Sequence, residues 1–319
     1  FGADFDDGAG DELAVTLPSG GSARVADLYQ GPRGSLPRDL TAFARRMFFT
    51  AADEATRSRL FRSAGTSETT VSLDPLGDNE FGLYPSGLTA IRNGVIFTEL
   101  TEGVGRAGRT STATEQILDG KPPRLVWETV RVGPRAVINT FDGAAAPETT
   151  GALRLFATDG GVAGTTLVAT LDDTTRFGSA HAAVRPEGDA AYWFTRVLIP
   201  SGDLTLGALW LSDGTVAGTR KLVDRPCGDC GVPIDWVAAR GGSFYFVVNR
   251  PGPNSFDLWT SNGTAAGTRR LAQNGPATSR LTGAFLTAFD SPRGPLVIWT
   301  GYDATTGEEP WISDGTLEG

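Results

Sequence analysis

Four groups of side chains in this sequence could do chemistry. Cys227 and Cys230 form a C-x-x-C pair inside RPCGDCGVP, and Asp4, Asp6, Asp7 and Glu12 crowd the start of the chain. His181 is the only histidine, and the tryptophans include Trp127 and Trp236. A C-x-x-C pair can be half of a zinc site or a redox couple, but zinc needs two further ligands and the redox couple needs a helix beginning at the first cysteine. Neither is supplied. Pro226, Pro233 and the intervening glycines favour a short-range disulfide that stiffens a loop, over free thiols or metal work, and a disulfide implies an oxidising compartment.

The acidic start places oxygen ligands at alternating positions, as calcium loops do. Gly8 and Ala9 stand where the next acid and the following glycine are wanted, so the competing reading is a solvated acidic loop ahead of a strand at Leu13. Structural calcium on Asp4, Asp6, Asp7 and Glu12 is the only cofactor the sequence suggests. A Ser/His/Asp triad would have to use His181, and no G-x-S-x-G elbow accompanies it. Paired carboxylates for glycoside hydrolysis depend on a spatial separation that sequence does not carry, and 37 acidic residues make chance pairs inevitable. No catalytic residue is assigned, and the chain reads as a non-enzyme.

The elements that must position these groups come from a repeat. Ala208–Asp224, ALWLSDGTVAGTRKLVD, reads as a strand, a turn and a returning strand: the apolar run Leu209-Trp210-Leu211 leads into Asp213-Gly214-Thr215, where the acid accepts local hydrogen bonds and the glycine tolerates positive φ. The phrase returns at Asp159, at Asn262-Gly263-Thr264 and at Asp314-Gly315-Thr316, and in eroded form at Leu17, Ala64 and Gly108. These marks lie 44 to 54 residues apart. About four strands fit each interval, which predicts an all-β chain, a seven-bladed β-propeller of four-stranded antiparallel blades. The recurring Asp-Gly-Thr turn is read as structural, because every blade must satisfy the same loop backbone groups. The units fall at 38–75, 87–119, 125–172, 177–224 and 233–273, with partial units at 1–28 and 280–319, in a single domain over 1–319. Trp210, Trp259 and Trp311 share one repeat position and are expected between blades, with Trp193 and Trp299 in the core. Trp127 and Trp236 open their units and are the candidates for a ligand platform.

Composition narrows the partners. With 319 residues, 40% of them apolar, the chain can bury a large core, and 42 glycines and 19 prolines suit many short strands. A net charge of −9 disfavours a phosphate-tracking surface, so nucleic acid is not expected. No apolar run approaches a membrane span and no signal segment leads the chain. The first residue is Phe1, which suggests a processed or excerpted chain.

On Leu209-Trp210 with Ser212-Asp213-Gly214-Thr215 and Ala217-Gly218-Thr219, on Leu258-Trp259 with Asn262-Gly263-Thr264, and on Trp311 with Ser313-Asp314-Gly315-Thr316, the chain resembles the bacterial ELWxxDGT repeat family. Phe61, Phe156 and Ala14 stand in place of the tryptophan in other units. The acidic start is similar to the acidic loop of FG-GAP propeller repeats. The ELWxxDGT resemblance implies a secreted or cell-surface propeller of environmental bacteria and supplies no catalytic residues. The resulting expectation is a non-catalytic binding or structural module, for adhesion, matrix or assembly. Its partner would be a protein or glycan, or a second copy joined through the incomplete terminal blades. A glycan-binding lectin and a carbohydrate-active enzyme are the alternatives.

Overall fold

The computed structural model describes residues 1–53, 58–73, 85–99, 103–109, 111–119, 124–143, 150–198, 204–224, 231, 233–249, 256–273, 286–303 and 307–316. These residues are all-β apart from two short 3-10 turns, Ser67–Thr69 and Arg240–Gly242. The strands form antiparallel meanders in chain order, and the fold is a seven-bladed β-propeller. The first blade holds β1 (Gly2–Ala3), β2 (Glu12–Thr16) and β3 (Ser22–Ala26). The second holds β4 (Arg38–Phe43), β5 (Arg46–Ala52), β6 (Ser58–Ser63) and β7 (Val71–Ser72), and the third holds β8 (Ser86–Ile91), β9 (Gly94–Glu99), β10 (Gly103–Ala107) and β11 (Thr114–Asp119).

The next two blades share a strand. β12 (Arg124–Val132), β13 (Arg135–Asp142), β14 (Thr150–Thr158), β15 (Thr166–Val184), β16 (Ala191–Leu198), β17 (Leu204–Ser212) and β18 (Arg220–Asp224) form one seven-stranded sheet in that order. β15 is 19 residues long; its first part closes the fourth blade, and Ser179–Val184 open the fifth by pairing with β16. The sixth blade holds β19 (Pro233–Ala238), β20 (Phe244–Asn249), β21 (Phe256–Ser261) and β22 (Arg269–Gln273). The last holds β23 (Thr287–Ser291), β24 (Gly294–Asp303) and β25 (Gly307–Ser313). Residues 281–285, where the expected opening strand of that blade begins, lie outside the described residues.

The chain divides into two compact units, Phe1–Ile138 with Phe156–Thr166, and Asn139–Leu155 with Leu167–Gly319. Both are built on second strands covered on both faces, which is why those strands read as unbroken apolar runs and not as an alternation. In the first unit every residue of β9 is buried, and Phe48 and Val95 share one cluster with Leu60, Leu73, Phe97 and Ala107. In the second unit Tyr192 and Phe194 of β16 pack with Phe244, Phe246 and Val248 of β20. A fully buried side chain of this size contributes roughly 1.5–3 kcal/mol.

The repeated phrase is a self-contained hydrogen-bonded loop. The Asp213 Oδ1 atom accepts from the Thr215 amide at 2.8 Å and from its hydroxyl at 2.7 Å, and the Thr215 Oγ1 atom accepts from the Gly218 amide at 2.9 Å. The Ser212 and Thr219 hydroxyls meet at 2.7 Å across the base of the loop. Asn262 performs the same task through its Oδ1, accepting from the Thr264 amide and hydroxyl at 3.1 and 2.7 Å; only an acceptor oxygen is required, so an amide replaces the acid. Asp314 repeats the pattern with Thr316 at 2.8 and 2.7 Å, and Asp159 accepts from the Gly161 amide at 3.0 Å. Gly214, Gly263 and Gly315 hold φ of 80°, 83° and 85°, a region that side-chain-bearing residues resist. A hydroxyl pair at the loop base also joins Ser63 to Thr70, Thr158 to Thr165 and Ser261 to Thr268, at 2.7 to 2.8 Å.

Within the second unit the loops at Asp213 and Asn262 are each tied to the next blade. Arg220 donates through Nε and a terminal nitrogen to the Gly263 carbonyl at 3.1 and 2.7 Å, and Arg269 donates to the Gly315 carbonyl at 3.3 Å. The shared tryptophan position is less uniform than expected. Trp259 is buried and Trp210 half-buried, whereas Trp311 is 45% exposed. The reason is local: Trp210 and Trp259 lie opposite Lys221 and Arg270 of a fourth strand, while β25 is the edge of a sheet with three described strands.

Candidate functional site

The acidic start does not gather into a cation cage. Glu12, at the head of β2, is fully buried, and its carboxylate accepts from the Leu28, Tyr29 and Ser35 amides at 3.1, 3.2 and 2.9 Å and from the Ser35 hydroxyl at 2.6 Å. Its oxygens are consumed by the fold, which corrects its assignment as a calcium ligand. Asp7 pairs with Arg24, and that hydrogen bond holds its carboxyl below the usual value. Asp4 accepts from the Asp6 amide at 2.9 Å. Among the described residues no group of three His, Cys, Asp or Glu could hold a metal ion. Cys227 and Cys230 lie outside the described residues. Trp127, on β12 of the first unit, is 39% exposed.

Trp236 has chemically interesting company. It lies on β19 in the second unit, with its indole edge-on to Phe194 at 4.5 Å between ring centres and 6.3 Å from the His181 ring. Asp235 fixes the backbone there: Oδ1 accepts from the Trp236 amide at 2.8 Å and Oδ2 from the Leu286 amide at 2.6 Å. His181 lies directly opposite Phe194 in the β15–β16 register, with ring centres 5.5 Å apart. On the polar side of the imidazole, a terminal Arg196 nitrogen is 3.3 Å from Nε2 and the Ser179 hydroxyl is 3.4 Å from the same atom.

This geometry assigns roles. A guanidinium can only donate, so Nε2 is the acceptor toward Arg196 and the ring proton sits on Nδ1. The lone pair that would make His181 a base for Ser179 is thereby engaged, and the Ser179 contact is long for a hydrogen bond. The pair is therefore poorly arranged for nucleophilic catalysis. Arg196 itself is not balanced: its Nε is buried with no acceptor, and no described carboxylate pairs with it. A guanidinium in this state favours a planar anion, and a carboxylate matches its fork of donors. A half-buried hydroxyl, imidazole and indole complete the wall.

Burial, with the Arg196 charge as second cause, holds the His181 imidazole below its ordinary 6.5. The unfolded chain then binds the proton more readily, so stability is lost as pH falls from the unfolded value toward the folded one, and is unaffected above it. We expect the His181→Gln variant to lose less stability than the parent between about pH 7 and about pH 5 in urea titrations, and parallel profiles would contradict this.

The sequence reading picked out Trp236 but set His181 aside and missed Ser179, Phe194 and Arg196. Their association depends on cross-strand register, to which only the opening of successive blades gave a clue.

No family model matches the chain, and no curated protein matches it in sequence. Among solved structures it is similar to the apo form of prolyl oligopeptidase B from Galerina marginata, with a TM-score of 0.49 and 9% identity over 90% of this chain and 40% of that one. It is also similar to a puromycin-hydrolyzing peptidase of Mycobacterium tuberculosis, with a TM-score of 0.44 and 12% identity over 88% of this chain and 45% of that one. The chain spans less than half the length of these proteins. The expected non-catalytic binding or structural module is corrected here, since the matched structures are of peptidases and not of adhesion or matrix proteins. At this level of identity the likeness concerns fold, and it assigns no activity to this chain.

Proposed function

We propose that this chain receives carboxylate-bearing ligands, the C-terminal ends of peptides among them, in the service of an enzyme rather than as an adhesive or matrix element. The observation that carries the reading is the Arg196 guanidinium, with no carboxylate paired to it among the described residues, beside a neutral His181, with Ser179 and the Trp236–Phe194 pair around it. A few convergent polar groups against an aromatic wall suit a small ligand or a chain end, whereas a docking surface for a whole protein is broad. The repeated turn supports an ELWxxDGT affiliation as part of the same proposal.

The test uses N-benzoylglycine, which combines a ring and a carboxylate, against its uncharged carboxamide in calorimetric titrations of the full chain. The carboxylate should bind about tenfold more tightly than the amide, a difference of about 1.4 kcal/mol. Arg196→Met should abolish that preference and Arg196→Lys should keep part of it. Equal binding of acid and amide, or a preference that survives Arg196→Met, would sink the reading.

A further inference from the structure

A second polar site lies where the sixth blade meets the last, inside the second unit. A groove of about 430 Å³ there is lined by Ser243, Tyr245, Thr260, Asn262, Arg269 and Asp314 among others. Arg269 and Asp314 carry opposite charges, yet they are not within ion-pair distance of each other, and among the described residues neither has another charged partner. The local structure leaves both with bonding capacity to spare. Arg269 spends one terminal nitrogen on the Gly315 carbonyl, at 3.3 Å, whereas Arg220 of the preceding blade commits both Nε and a terminal nitrogen to Gly263, at 3.1 and 2.7 Å. Asp314 satisfies its turn through Oδ1 alone. Asn262 closes the same turn without a charge, so the turn requires neither the charge of Asp314 nor its second oxygen. A Cβ on Gly315 would lie 2.6 Å from the Tyr245 hydroxyl; the glycine leaves room beside that hydroxyl, on a side chain that is otherwise buried.

We propose that this groove binds the head group of a free α-amino acid, its carboxylate on the Arg269 nitrogens that Gly315 does not engage and its ammonium on Asp314 Oδ2. A cation and an anion that the fold keeps apart in one cavity are answered together only by a ligand that carries both charges. A simple anion or a simple amine would satisfy one of them and leave the other as it is. The guanidinium takes a carboxylate in a planar fork, and the carboxylate takes an ammonium as a charge-assisted hydrogen bond. The groove has the volume of a small-molecule site, and the hydroxyls of Ser243 and Thr260 with the Asn262 amide favour a polar side chain on the ligand. The inference stands apart from the carboxylate site, because it shares none of Ser179, His181, Arg196 or Trp236.

The experiment titrates the full chain with L-asparagine, with Nα-acetyl-L-asparagine, which lacks the ammonium, and with L-asparaginamide, which lacks the carboxylate. Binding is read at the Gly315 amide resonance, which reports this groove and not the carboxylate site. The parent should bind the zwitterion about fivefold more tightly than either derivative, the scale set by one exposed ion pair. Asp314→Asn, which installs the residue type that already closes the Asn262 turn, should keep the urea midpoint and lose the advantage over the acetyl derivative. Arg269→Gln should lose the advantage over the amide, and Arg196→Met should leave the titration unchanged. No response, equal binding of the three probes, or a zwitterion preference that survives Asp314→Asn would overturn the proposal. Loss of the response in Arg196→Met would also overturn it, by placing the ligand at the other site.

Discussion

Replacing Glu12 by alanine is expected to destabilise the protein by about 4 kcal/mol, in the range found when a buried, hydrogen-bonded charge network loses one partner. The carboxylate is the single acceptor for three backbone amides and one hydroxyl. Its removal strands those donors away from water, and each stranded group costs roughly 1–3 kcal/mol before relaxation. Glu12→Gln separates charge from shape: the amide keeps one oxygen but turns an NH2 group toward N–H donors, so an intermediate loss of about 2 kcal/mol is expected. Urea midpoints with unchanged slope would report both losses. A loss below about 1 kcal/mol for Glu12→Ala would mean that the carboxylate does not hold the loop.

Gly34→Ala should do comparable damage by a different route. Gly34 is buried with φ of 63°, and a Cβ there would lie 2.3 Å from the Asp11 amide nitrogen and 2.4 Å from its carbonyl oxygen. Those are backbone atoms, which have no rotamer to escape through. Gly10 meets the same crossing from the other side, 2.6 Å from the Gly34 nitrogen. The two glycines let the segment carrying Ser35 approach β2 closely enough for Glu12 to reach it. Ser35 also accepts from the Ala52 amide at 2.8 Å, so the crossing joins β2 to β5. We expect a loss of about 3–4 kcal/mol for Gly34→Ala. By contrast Gly31→Ala, at φ of 100° with open space around it, should lose only about 1–2 kcal/mol from backbone strain. Equal losses would show that strain, and not the close crossing, sets the cost.

The blades were legible because their demands repeat. Each copy needs an acceptor, a positive-φ glycine and a hydroxyl in fixed order, and a requirement met several times in one chain is visible without knowing the fold. The hydroxyl pair at the loop base was equally visible, as Ser or Thr before the mark and Thr after it, but the acid drew the eye. β10 shows the limit: its phrase had dissolved around Gly108, yet Gly103–Ala107 pairs with β9 and β11 on both sides, because backbone hydrogen bonding does not depend on the motif. The continuous β15 was read as two elements because composition changes along it while its backbone does not.

The sites were less legible for a geometric reason. Arg196, His181 and Trp236 are neighbours only through strand pairing, and their separations along the chain follow loop lengths rather than chemistry. Glu12 was misjudged by the opposite error, since acidic spacing says nothing about which carboxylate turns inward. Its position at the head of a strand whose next residues, Leu13 and Ala14, are buried was the better guide.

The arginine ties give the architecture a direction. In the second unit the Asn262 loop carries both a plug, Arg269 after it, and a socket, the Gly263 carbonyl that receives Arg220 of the preceding blade. A copy inserted by gene duplication would arrive with both halves of the joint and fit between its parents without new contacts being invented. Repeat proteins whose stability is a sum of unit and neighbour terms grow in this way. The opening strands, which carry Ser179, His181 and Trp236, take no part in the joint, so they are free to diverge toward new ligands while the frame is copied unchanged.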